Sequence, residues 1–87
     1  MRYVYVLFSQ KDRELYVGSS TSIEKRLIQH NSGQVPATSE RIPLKVIHYE
    51  AFSNKYDAFF REKWLKTVWG RKYLRKTLHN KLKSLGG

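Results

Sequence analysis

The sequence predicts an α+β fold: a three-stranded antiparallel sheet flanked by about three helices, in the order β-β-α-β-α-α. Three observations predict it. Residues 2–9 and 15–19 are rich in the aromatic and β-branched side chains that suit a pleated surface, and only the polar stretch 10–14 separates them. Residues 45–52 repeat that composition later in the chain. Between and after these runs, apolar residues recur at the three- and four-residue steps of a helix face.

Arg2 to Ser9 and Leu15 to Ser19 are close enough to pair as an antiparallel hairpin around the turn-like Gln10-Lys11-Asp12-Arg13. The period of two places Tyr3, Tyr5 and Leu7 on one face of the first strand, and Tyr16 and Gly18 on one face of the second. With a matching register, Tyr5 and Tyr16 share a face. Thr21 with Glu24 three residues on fits a capping box, so a first helix should begin there. It runs through Ile23, Leu27 and Ile28 to His30, and Asn31-Ser32-Gly33 stops it. Residues 34–43, with Pro36 and Pro43, read as a loop, and Lys45 to Phe52 as the third strand. Ser53 or Asn54 caps a second helix from about Lys55 to Val68, which Gly70 should break. Leu74, Leu78, Leu82 and Leu85 give a third, amphipathic helix over Lys72 to Leu85. Residues 1–87 read as one domain, without repeats or a linker.

A domain of 87 residues buries only about 60–65% of its unfolded surface, so its core must be small. Its 40% hydrophobic and 14% aromatic content still excludes a disordered tail. The 17 Lys and Arg against 7 Asp and Glu give a net charge of +10, and residues 61–87 hold nine of the basic residues against one acid. Such an end attracts polyanions, nucleic acid first and anionic membrane second. Membrane is the weaker partner, because no apolar run approaches the ~20 residues of a span. With no cysteine, disulfides, thiolate metal sites and cysteine nucleophiles are excluded, and any metal must use oxygen or imidazole ligands. No secretory leader is visible, so the expected location is cytoplasmic.

Three sets of residues can carry chemistry. Arg26 and His30 lie one turn apart on the first helix; a guanidinium fork suits phosphate, and imidazole exchanges protons near neutral pH. Glu62 falls at the edge of the apolar arc of the second helix, beside Ala58, Leu65 and Trp69, with Arg61 also inside that arc. A carboxylate there needs a cation, either a metal or a basic side chain such as Lys66 one turn on. The tyrosines are ordinary sheet residues, but one of them becomes a base when its anion is stabilised by about 3 kcal/mol, which brings a phenol of pKa about 10 to pH 7.5. One cation at about 4 Å supplies on the order of 4 kcal/mol at an effective dielectric of about 20.

Tyr3-Val4-Tyr5, Tyr16-Val17-Gly18, Arg26-Leu27 with His30-Asn31-Ser32-Gly33, and Arg61-Glu62-Lys63 together resemble the GIY-YIG nuclease superfamily. The likeness spans nearly the whole chain and is closest to small stand-alone bacterial members of the UPF0213 kind. Tyr3 stands where the family name has its first glycine, and the asparagine often found after the family glutamate has no counterpart here. The resemblance implies hydrolysis of nucleic-acid phosphodiesters with one Mg²⁺ or Mn²⁺, Glu62 being the sole protein carboxylate on the metal. Tyr5 and Tyr16 match the motif tyrosines, one of which deprotonates or orients the attacking water. Arg26 then stabilises charge on the phosphate, and His30 assists proton transfer or binds phosphate. With no separate DNA-binding domain, Arg41, Lys63, Lys66, Arg71 and Lys72 are the residues expected to contact backbone phosphates, of DNA before RNA. Two other readings remain open: a catalytically weak nucleic-acid-binding module on the same scaffold, and a protein-interaction module using the leucine face of residues 74–85.

Overall fold

Ser9 ends the first strand and shapes the turn that follows it. Its hydroxyl oxygen accepts the Lys11 and Asp12 backbone N–H groups at 3.2 and 3.1 Å, and donates to the Arg41 carbonyl at 2.6 Å. In the computed structural model, which describes residues 1–86, this turn joins β1 (Arg2–Ser9) to β2 (Leu15–Ser20). The third strand, β3 (Leu44–Phe52), lies on the other side of β1, so the antiparallel sheet has the order β2-β1-β3. A bulge between Val6 and Leu7 in the β1–β3 pairing leaves Ile47 as an extra residue of β3.

Both faces of β1 are covered, which is why it is buried from Val4 to Ser9 rather than alternately wet and dry. On one face Val4, Val6 and Val17 pack against Ala58, Leu65, Leu74 and Leu78. On the other, Tyr5, Leu7 and Leu44 pack against Tyr16, Ile23 and Leu27. The first of these faces carries α2 (Lys55–Leu65), α3 (Val68–Thr77) and α4 (His79–Gly86), and the second carries α1 (Ile23–Asn31). Among the described residues no helix is long and apolar enough to cross a membrane.

The helices differ from expectation at their ends. The cap of α1 is Ser22, whose side chain accepts Lys25 N–H, and not Thr21. Ser20 causes the shift: its hydroxyl accepts Ser22 N–H and donates to Ser22 O, each at 3.1 Å, so the chain turns one residue later. Asn54 caps α2 as expected. The stop comes at Leu65, however, because Thr67 donates to Trp64 O at 2.6 Å and accepts Gly70 N–H at 3.1 Å, closing one helix and opening the next.

Gly70 is therefore not a breaker but a first-turn residue of α3. A Cβ there would overlap the backbone of Trp64 and Leu65, so the glycine allows α3 to fold tightly back on α2. Leu78 splits the expected last helix in two, giving four helices instead of three. The leucine stripe survives the split: Leu74 and Leu78 are buried and Leu82 packs beside them, so these leucines are core and not a docking face. Arg61, the charge inside the apolar arc, makes a two-pronged bond to Glu50 of β3 at 2.7 and 3.1 Å and lies against the Trp64 and Tyr73 rings.

Candidate active site

The register of the hairpin builds the floor of the site. Tyr5 stands opposite Gly18 and Leu7 opposite Tyr16, so all four lie on the face covered by α1, and the two motif tyrosines share a face as expected. The Tyr5 ring lies across Gly18, where a Cβ would stand 2.5 Å from the phenol oxygen. Glycine is needed here for space, not for an unusual backbone angle.

From that position Tyr5 Oη reaches His30 Nε2 at 2.9 Å, and His30 Nδ1 lies 2.7 Å from Thr38 Oγ1. Thr38 Oγ1 in turn lies 3.5 Å from Val35 O. A carbonyl only accepts, so Thr38 donates to Val35, His30 Nδ1–H donates to Thr38, and the Tyr5 hydroxyl donates to Nε2. Tyr16 meets the same imidazole edge-on, with ring centres 5.2 Å apart.

His30 is fully buried, with both ring nitrogens within hydrogen-bond distance of protein hydroxyls. Burial holds its imidazole below the usual 6.5, and the positive charge of Arg26 adds to the effect. Burial likewise pushes the Tyr5 phenol above 10.0. The Arg26 guanidinium beside it opposes that shift, while Tyr16 and the Glu62 carboxylate reinforce it. At neutral pH the Tyr5–His30 pair is therefore uncharged.

Arg26 projects from α1 one turn before His30, and its Nη1 donates to Gln29 Oε1 at 2.8 Å. Glu62 comes from α2, on the opposite side of the sheet, yet is near enough for its charge to act on Tyr5. Its side chain is 20% exposed and its carboxylate pairs with Lys66 Nζ at 3.0 Å, the helical partner that its spacing predicts. Lys66 Nζ also lies 5.7 Å from the centre of the Tyr16 ring. Tyr5 and Tyr16 thus both meet His30, and the charges of Arg26 and Glu62 both act on Tyr5.

A cavity of about 500 Å³ opens beside Tyr16, lined also by Arg41, Lys66 and Arg71 from the expected phosphate-binding set. Arg41 is already engaged there, with Nε 2.6 Å from Asp12 Oδ2, and this pairing holds the Asp12 carboxyl down at about 2. Lys63 and Lys72 do not line this cavity. Their ammonium groups lie over the rings of Phe59 and Trp69, at 5.0 and 5.3 Å.

Residues 1–76 match the model of the GIY-YIG catalytic domain. The chain belongs to the GIY-YIG family. Curated relatives agree: it is 41% identical over 69 residues to a UPF0213 protein of Clostridium perfringens, covering 78% of this chain and 73% of that one. It is 39% identical over 74 residues to a UPF0213 protein of Staphylococcus saprophyticus, covering 84% and 89% respectively. The solution NMR structure of a UPF0213 protein from Bacillus halodurans superposes with a TM-score of 0.54 at 30% identity, over 88% of this chain and 85% of that one. GIY-YIG membership places the chain in a nuclease family, whose substrates are nucleic acids.

In this GIY-YIG chain the donor set suits a hydrated metal better than a caged one. Among the described residues no three His, Cys, Asp or Glu side chains gather at one point. Glu62 is the carboxylate whose charge acts on Tyr5, and Mg²⁺ typically takes one or two carboxylates and keeps its remaining positions for water and phosphate. The residues present fit such an ion.

Two residues that order this region were not read as doing so from the sequence. Thr38, which holds His30, is one threonine in a loop without periodicity. Asn31 looked like a helix stop, yet its side-chain amide pairs with both backbone groups of Leu44 at 2.9 and 2.7 Å, tying α1 to β3.

Proposed function

We propose that this chain is a divalent-metal-dependent endonuclease that hydrolyses phosphodiester bonds, with structure-selective or weakly sequence-specific action on DNA. The observation that carries this reading is the 2.9 Å contact between Tyr5 Oη and a neutral, buried His30. It gives a tyrosine somewhere to send its proton.

Water attacks phosphorus as its proton passes to Tyr5 Oη, and the proton of Tyr5 passes to His30 Nε2. The resulting imidazolium donates back to the phenol oxygen through Nε2–H and to Thr38 through Nδ1–H, so both of its protons are bonded. The burial of Tyr5, 2% exposed, supports a transfer kept away from bulk water. Tyr16, partly exposed at the rim, orients the attacking water through its hydroxyl. Arg26 favours the negative charge that develops on Tyr5 and on the phosphate. The P–O bond to the leaving oxygen breaks as that oxygen takes a proton from solvent. Glu62 would hold Mg²⁺ or Mn²⁺, which when bound would supply Lewis-acid stabilisation of the phosphate charge. Lys66, Arg71 and Arg41 line the adjoining cavity and attract the flanking phosphates without reading sequence.

The test is cleavage of single-stranded, duplex and branched DNA and RNA with Mg²⁺ or Mn²⁺, comparing wild type with Tyr5→Phe and Tyr16→Phe. Tyr5→Phe should lose about 10²-fold or more in rate, the usual worth of a positioned acid or base, and Tyr16→Phe less. Loss in Tyr16→Phe with an active Tyr5→Phe would transfer the proton-accepting role to Tyr16. No wild-type cleavage of any substrate, with salt-sensitive binding intact, would favour the binding-module reading.

A pH profile tests the same relay. His30 must be neutral to accept a proton, and its pKa is held below 6.5. The acid limb of kcat/KM should therefore lie below pH 6.5, with no loss between 6.5 and 7.5. An acid limb above 6.5 would contradict the relay. The same depressed pKa adds stability that is present above pH 6.5 and lost as pH falls through the folded value, so Tm should begin to drop below 6.5.

A further inference from the structure

The outer face of α2 is more apolar than a solvated helix face needs to be. Its inward residues, Ala58 and Leu65, are core, yet Tyr56, Phe59 and Phe60 point outward with 62%, 49% and 66% of their surface exposed. Three exposed rings within the five residues 56–60 of an 87-residue chain mark a binding surface. Phe59 and Phe60 meet edge to face at 5.4 Å, and Tyr56 stands about one turn before them, so the three rings make a short aromatic strip.

Two features of this strip identify its occupant. Ammonium groups lie against the rings, with Lys63 Nζ 5.0 Å from the centre of Phe59 and Lys55 Nζ 5.4 Å from that of Tyr56. Flat π-surface interleaved with cations matches a chain that offers a flat base and an anionic phosphate in every unit. A second copy of this helix would instead bring the same lysines face to face. The strip also leads away from the cleft. At about 100° per residue, Lys66 lies about 40° round the helix from Glu62, Phe59 about 60°, Lys63 about 100°, Tyr56 about 120° and Phe60 about 160°, all in one direction.

We propose that this face binds unpaired nucleotides, stacking their bases on Phe59, Phe60 and Tyr56 and holding their phosphates with Lys55 and Lys63, on a strand that continues past Glu62 into the cleft. The proposal rests on the nuclease reading for the path of the strand, but not for its binding. In a duplex the base faces are already stacked on one another, so the strip selects single strands, overhangs and branch points over continuous duplex.

The experiment is binding in EDTA, where no strand is cut. Fluorescence anisotropy compares a fluorescein-labelled oligothymidylate with a labelled duplex, using wild type, Phe59→Ala/Phe60→Ala and Phe59→Trp/Phe60→Trp. Wild type should bind the single strand at least about tenfold more tightly than the duplex. The alanine pair should lose about 10²-fold on the single strand, about tenfold per ring, and less than about threefold on duplex, and the tryptophan pair should retain single-strand affinity. Both rings are exposed, so an unchanged thermal melt is expected, and Tyr56→Ala provides an independent variant.

Equal loss on both probes, or no loss on either, would overturn the proposal. So would ring-dependent self-association in sedimentation, or ring-dependent binding to phosphatidylserine vesicles, without a single-strand preference. Ring-dependent single-strand binding by a protein that cuts nothing would defeat the nuclease reading and leave this one standing. Cleavage indifferent to the rings, with no single-strand preference, would do the reverse.

Discussion

Glu62→Gln should abolish metal-dependent cleavage, by about 10³-fold or more, while leaving the fold and most nucleic-acid binding in place. The substitution keeps the shape of the side chain and removes the carboxylate whose charge acts on Tyr5. Asp12 and Glu14, the acids that line the cavity beside Tyr16, are each paired with an arginine, Arg41 and Arg75, so neither should take over as metal ligand. The structural cost should be small. The pair with Lys66 is a one-turn helical pair whose ammonium side chain is 48% exposed, and such pairs contribute about 0.3–0.5 kcal/mol. Binding in EDTA should be equal or slightly tighter, because a negative charge leaves a phosphate-binding cleft. Mn²⁺ binding followed by electron paramagnetic resonance gives a readout that does not depend on turnover, and it should be lost together with cleavage. Undiminished cleavage would remove Glu62 from the metal site. Unfolding of the variant would mean that its pair with Lys66 is structural.

Gly18→Ala should damage both stability and catalysis, through a residue with no functional group. Its new methyl would stand 2.5 Å from Tyr5 Oη and 2.6 Å from Cζ, well inside contact distance. Tyr5 cannot swing clear, because it is buried in the sheet core and its hydroxyl is bonded to His30. Either the ring shifts or the β1–β2 ladder opens, and overpacking of this kind costs about 1–3 kcal/mol. Ring displacement lengthens the Tyr5–His30 contact, so cleavage should fall by about 10²-fold at temperatures where the variant remains folded. Denaturant melts beside single-turnover cleavage separate the two effects. A destabilised variant with full activity would show that Tyr5 keeps its place and the strand yields. A variant normal in both respects would refute the close packing of Tyr5 on Gly18.

Most of the fold was legible because it follows from short-range patterns. The strand composition around residues 10–14 predicts a hairpin, and the period of two puts Tyr5 and Tyr16 on one face. Asn54 marks the start of α2 because a side-chain oxygen at that position satisfies an orphan backbone N–H. The errors came where one residue type serves two purposes. Gly70 reads as a helix breaker because glycine usually is one, but here it permits close packing between helices. Thr21 fits a capping box, yet Ser20 turns the chain first and gives the cap to Ser22.

The sequence by itself determined the element order near the N-terminus, the concentration of basic charge in residues 61–87, the exclusion of cysteine chemistry, and Tyr5, Tyr16, Arg26, His30 and Glu62 as candidates. Only the tertiary structure decided which of them touch. His30 reaches Tyr5 from 25 positions away, and Thr38 orders His30 from a loop. Glu62 acts on Tyr5 although their helix and strand meet only in the packed domain. Periodicity fixes the face on which a side chain stands, but distances between elements depend on how the core packs, and no local pattern encodes them.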